Sequence, residues 1–324
     1  MRFTWTVEPG IRLEDGNVPN VYRLQDGRIR MYYGGPGGIL SAISADGLTF
    51  EKEPGVRVVP GSPGGPEMIV NDPTVISLKD GQVRMYYKGA TGGGGPDQSD
   101  NTVYSAVSKD GLSFEKEGIR IDPHQTPDRG WASVPEAIVL PDGRVRLYYV
   151  SDGLDVKHGI VSAISEDGLE FTREGPVLPG FVDPSVIRLP DGTYLMLAIA
   201  FPQSGAPPGI YSFTSTDGLN FDNRDLVLTG ENNIDPAIIA SGGGTYRVYY
   251  WNITDQPPVI RSISGTLASS YKSTVAPPDI ESVLAPGSIP GARLWLFVVD
   301  DGRPLLAISA EADGKLLMGR LDVT

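Results

Sequence analysis

Along the whole chain, short apolar and aromatic runs alternate with polar positions and are broken at close intervals by Gly, Pro or Asp-Gly, a period-2 pattern that predicts strands and tight turns throughout. The runs recur as one motif, in which a Pro-led apolar stretch, a turn and a second strand follow each other. It appears as VPNVYRLQDGRIRMYYGG from Val18, DPTVISLKDGQVRMYYKG from Asp72 and VPEAIVLPDGRVRLYYVS from Val134. DPSVIRLPDGTYLMLAIA from Asp183 and DPAIIASGGGTYRVYYWN from Asp235 continue it, and a divergent ESVLAPGSIPGARLWLFVV starts at Glu281. Subtraction between Pro19, Pro73, Pro135, Pro184 and Pro236 gives spacings of 54, 62, 49 and 52 residues, near the period of four-stranded propeller blades.

A third strand and a turn follow the pair as SAISADGLTF, SAVSKDGLSF, SAISEDGLEF and SFTSTDGLNF, where Asp-Gly supplies the turn and the aromatic opens a fourth strand. Residues 5–13, WTVEPGIRL, align without gaps to FEKEPGVRV at 50–58, the outer strand of the first repeat. The N-terminus is therefore expected to supply the missing outer strand of the last blade and to close a ring. The reading is an all-β propeller forming a single domain over residues 1–324, with six blades from the repeat count and five as the alternative. Strand order places the Asp-Gly turns on one face. The long loops 60–71, 89–102, 122–133, 151–159 and 201–209 gather on the other, where binding usually resides.

Composition narrows the chemistry. With no Cys, thiolate chemistry and thiolate metal sites are out of reach, and any metal would need oxygen ligands or one of only two His. No organic cofactor is called for, and an axial calcium is left open. The net charge of -13 argues against a nucleic-acid partner, and no apolar run spans a bilayer. With no leader in the chain as given, the expected location is cytoplasmic.

The candidate chemistry lies at the start of the innermost strands, which point into the axial funnel beside the long loops. Asp72, Asp183 and Asp235 stand before the marker Pro, Glu281 takes the equivalent place in the sixth repeat, and Glu136 falls two residues past Val134. Val18 and Val134 hold the position where the other repeats carry an acid. Several carboxylates around one funnel suit glycosidic cleavage, which needs one protonated acid and one ionised carboxylate, and crowding separates their pKa values. The opposing reading is architectural: Asp before Pro can brace a strand start, and a repeated motif can belong to the blade. On the rim, Trp131 and Arg129 in DRGWAS offer a sugar platform and a polar clamp; His158 in an upper loop and Asn20 in VPN complete the substrate-binding candidates. The glycines at 92–95 have no following helix and no Lys-Ser/Thr pair, so they are not a phosphate loop.

The turn S-K-D-G-L-S-F-E at 108–115, with its aromatic four residues after Asp110, and the DPS and DPA strand starts resemble the arabinanase, xylosidase and invertase superfamily of β-propeller glycosidases, glycoside hydrolase family 43 in particular. That resemblance implies a glycoside hydrolase acting on an oligosaccharide or glycoside through paired carboxylates. It implies a base, a tuning acid and a proton donor in the order Asp183, Asp235 and Glu281; Asp72 in NDP with Glu136 in VPEA is the second assignment. The family base position in the first repeat is Val18 here, and the superfamily has five blades. The alternatives are a non-catalytic propeller that binds a glycan or protein, and a six-bladed sialidase-like hydrolase. The recurring Arg30, Arg84, Arg146 and Arg247 are expected to pair with carboxylates inside the blades.

Overall fold

The computed structural model describes residues 2–95, 98–268, 293–298, 304–312 and 315–321. The chain divides into two compact units, one of Arg2–Leu267 and one beginning at Ala268. The first is a ring of five antiparallel blades, which realises the five-blade alternative and corrects the count of six. Each blade is a meander: Asn17–Arg23, Ile29–Gly35, Gly38–Ser44 and Glu51–Lys52 form the first, and Ile69–Ser77, Val83–Ala90, Asn101–Ser108 and Glu115–Ile121 the second. The third contains Ala132–Val139, Val145–Ser151, Gly159–Ser165 and Thr172–Pro179, and the fourth Phe181–Arg188, Tyr194–Ala200, Gly209–Ser215 and Asp222–Thr229.

Blade five has three strands of its own, Asn233–Gly242, Thr245–Asn252 and Val259–Ala268, and takes Arg2–Val7 as its fourth. The reason for five lies in this strand. Leu13–Glu14 also pairs with Val259–Ala268, and the inner strand of blade five packs directly on that of blade one, so the ring is complete before the sixth repeat begins. Glu281 lies outside the described residues. A five-bladed ring is also not the six-bladed frame on which the sialidase alternative rests. In the second unit, Arg293–Val298, Pro304–Ala312 and Lys315–Leu321 form an antiparallel three-stranded sheet.

The core is five apolar layers, one between each pair of neighbouring blades. Four of the seams carry the same polar staple. Arg30, Arg84, Arg146 and Arg247 each make a two-pronged ion pair within their own blade, to Glu53, Glu117, Glu174 and Glu8 at 2.8–3.0 Å. Each arginine also donates to the carbonyl of the turn Asp in the next blade, and Tyr32, Tyr86, Tyr148 and Tyr249 donate to the carbonyl of the glycine that follows. That glycine has φ near +71° at Gly47 and Gly111, and a Cβ on it would run into the arginine and tyrosine of the staple. The turn sequence and the middle-strand sequence are thus one device read on two blades.

The alignment of residues 5–13 with 50–58 holds in the contacts of its Glu and Arg. Glu8 takes Arg247 and Ser262 as Glu53 takes Arg30 and Ser41, and Arg12 donates to the Leu48 carbonyl as Arg57 does to that of Leu112. At the seam between blades four and five the staple is missing on both sides: Leu195 and Leu197 replace the Arg and Tyr, and the Asp-Gly-Leu turn is absent from blade five. Both leucines are buried there against Ile238, Val248 and Ile263. For a stapled seam, Arg84→Ala leaves Glu117 without its partner and is expected to cost about 1–3 kcal/mol in urea denaturation. An unchanged urea midpoint would rule out the staple as a stabilising element.

Candidate active site

Every inner strand begins with the same irregularity. Val18, Asp72, Val134, Asp183 and Asp235, the residues before the marker prolines, all have φ between +43° and +54°, and the pairing register slips at each. A left-handed residue before Pro is costly, most of all for a β-branched valine. That two valines adopt it shows that the bulge belongs to the blade and does not depend on a carboxylate. Three of the five positions nevertheless carry an acid, and all five line one pocket at the mouth of the axis together with their prolines, Asn20 and Glu136. Asp72, Glu136, Asp183 and Asp235 are therefore brought together as expected, and Asn20, a substrate-binding candidate in the sequence, lies among them. The cavity they enclose is about 20 Å³, room for roughly one water molecule.

Asp72 is 3% exposed and pairs with the Lys88 ammonium at 2.7 Å. Lys88 lies near the end of the second strand of blade two, opposite Asn71, at the position that Gly34, Val150, Ile199 and Trp251 fill in the other blades. Burial works against its charge, but Asp72 above all, then Asp235 and Asp183, hold its pKa above the usual lysine value. Asp183 and Asp235, from adjacent blades, lie within hydrogen-bonding reach of one another. Burial, with the charge of Asp72 behind it, raises Asp183 to about 7, and burial and the charge of Asp183 raise Asp235 well above the ordinary carboxylate range. Two acids sharing one proton beside an ion-paired third is the arrangement that separates donor from acceptor at neutral pH.

Glu136 sits lower and is 7% exposed. Thr74 Oγ1 and Asn20 Nδ2 donate to its Oε2 at 2.9 and 3.4 Å, and the Val186 amide and Ser185 Oγ donate to its Oε1 at 2.9 and 3.3 Å. Burial still outweighs these donors and raises it to about 7.

The rim candidates lie apart from this pocket. Trp131 is half-buried, bridged to Asn101, and Arg129 is exposed with φ +55°. His158 packs at a tilt against Phe201 with ring centres 4.7 Å apart, and its Nδ1 is 3.5 Å from Asp152. Lys88, Thr74 and Ser185 escaped the sequence reading; the signal for Lys88 was its departure from the repeat, YYKG against YYGG and YYVS.

The raised carboxyls fix the sign of a pH effect. An acid whose folded pKa exceeds its unfolded value lends its full stability below about pH 4 and loses it as pH rises through the folded value, here near 7 for Glu136 and Asp183. The urea midpoint is expected to fall between pH 5 and pH 8, Glu136 alone contributing on the order of 2–3 kcal/mol. Asp183→Asn should flatten that fall. A midpoint in the variant that tracks the parent across this window would count against the shared-proton arrangement.

No protein-family model and no curated protein matches the chain. Among solved structures, Zg3597, a family 117 glycoside hydrolase from the marine bacterium Zobellia galactanivorans, superposes with a TM-score of 0.64 at 18% identity, over 88% of this chain and 98% of its own. An α-L-arabinofuranosidase from Lactobacillus brevis gives 0.62 at 13% identity, over 79% and 92%. A thermostable family-43 glycoside hydrolase gives 0.59 at 15%, over 94% and 92%. At such identities the likeness establishes the fold, which is the five-bladed propeller that the resemblance in the sequence implied.

Proposed function

We propose that this chain is a glycoside hydrolase whose chemistry is carried by the funnel carboxylates. The observation that carries the reading is the charge arrangement: Asp72, Asp183 and Asp235 converge at one mouth, with Asp183 and Asp235 raised by burial and mutual crowding and with Asp72 ion-paired to Lys88. The Asp183–Asp235 pair supplies the proton to the leaving glycosidic oxygen, and Asp72 acts as the ionised partner on water or on the anomeric carbon. The fold likeness to glycosidases supports the same reading.

The cavity between the acids takes a water and no sugar ring, so the glycoside is bound above the ring of prolines, against the long loops that carry Trp131, Arg129 and His158. Val18 and Val134 flank Asp72 on either side and present it in an apolar setting, where charge interactions are strong. The small cavity also favours a second reading, a propeller that binds a glycan on the rim without cleaving it. Incubation with a panel of aryl glycosides and oligosaccharides, followed by release of phenol or reducing ends, separates the two. Cleavage of at least one member supports the enzyme. Binding by calorimetry with no cleavage across the panel replaces it by the binding propeller.

A further inference from the structure

The funnel carboxylates are held by a second layer, and its centre is Glu136. Its four donors come from three other blades: Asn20 from the first, Thr74 from the second, and Ser185 and Val186 from the fourth. The two hydroxyls are themselves acceptors. Thr74 Oγ1 takes the Ala137 amide of blade three at 3.2 Å, and Ser185 Oγ takes the Ile238 amide of blade five at 3.1 Å. One buried carboxylate thus links the inner strands of all five blades, three of them by its own oxygens, one through Ser185 and one by its own chain.

The links fall at chosen places. Thr74 lies two residues past Asp72, and Ser185 two residues past Asp183, each directly below a left-handed pre-proline bulge. Ile238 lies three residues past Asp235. Both oxygens of Glu136 are engaged and little of its surface is left. The groups that face this layer from the packed elements are Asp72 and Lys88 of blade two, Asp183 of blade four and Asp235 of blade five, with the neutral Asn20 from blade one.

We propose that Glu136 is a positioning residue: a hub across the axis that sets the spacing of Asp72, Asp183 and Asp235. Thr74 and Ser185 are the arms through which it acts. This goes beyond the assignment of a reaction and needs no substrate to be known.

The test is a carboxyl NMR titration of protein labelled with 13Cγ-aspartate, the Asp183 and Asp235 signals being assigned through Asp183→Asn and Asp235→Asn. In the parent the pair titrates in two separated steps. Glu136→Gln removes acceptor capacity at one oxygen, and Glu136→Asp keeps the charge but withdraws it from its donors. Both are expected to bring the two steps together by at least about one pH unit, the scale that marks a coupled pair. Ser185→Ala, which severs one arm and leaves the carboxylate in place, should move them the same way by less; it also serves if the Glu136 variants do not fold.

Steps that stay where they are in Ser185→Ala and in whichever Glu136 variants fold, even with lowered melting temperature, would make Glu136 a stabilising residue only and overturn the proposal. A failure to find any cleaved glycoside would sink the hydrolase reading and leave this one untouched.

Discussion

Asp183→Asn lowers turnover of a cleaved glycoside by at least about a hundredfold, the usual scale for removing a general acid or base. The substitution is nearly isosteric. Its amide can still donate to Asp235, so the contact between blades four and five is retained while the proton that the pair holds is lost. The melting temperature should not fall at neutral pH, because the replaced group was one whose ionisation opposed folding as pH rose towards 7. Asp235→Asn removes the other half of the pair and is expected to do the same. Initial rates on the best substrate of the panel, with melting followed by circular dichroism, decide the matter. Parental rates in both variants would remove the pair from the mechanism, and with it the reason to regard the funnel as catalytic.

Removal of residues 1–13 is expected to abolish the folded ring or bring it close to unfolding. Arg247, whose side chain is 13% exposed, loses Glu8 and the hydrogen bonds of the pair, about 1.5–3 kcal/mol for a bond to a charged group. Phe3 and Trp5, which stack with each other and cover Tyr246 and Gly265, are removed together with the buried Leu13, at roughly 1.5–3 kcal/mol for each well-buried apolar side chain. The sum approaches the 5–15 kcal/mol that typically separates a folded domain from its unfolded chain. It also exposes the edge of Val259–Ala268, an unpaired strand that invites aggregation. Size-exclusion chromatography and thermal melting of the truncated chain provide the check, and a monomer that melts like the parent would refute the closing role of the N-terminal strand. Glu8→Gln, which removes only the charge of the pair, should lie between the two.

The repeat itself, its strands and turns, the pairing of the arginines and the closing match between 5–13 and 50–58 were all legible in the sequence, because each rests on local pattern or on copies that can be compared with one another. Asp72, Asp183, Asp235 and Glu136 could be gathered around one mouth for the same reason: a repeated strand start must place equivalent residues around one axis. Three things were settled only by tertiary structure. The number of blades depends on where the ring shuts, and the N-terminal strand found its partner in Val259–Ala268, one repeat earlier than a count of motifs implies. The role of Lys88 depends on a neighbour, Asp72, that faces it across a strand pair.

The raised carboxyls of Asp183 and Asp235, and the four donors around Glu136, depend on groups contributed by separate blades. A sequence specifies which residues carry charge and in what local geometry. How that charge is held is decided by burial and by distances through space, and these exist only once the blades have closed on one another.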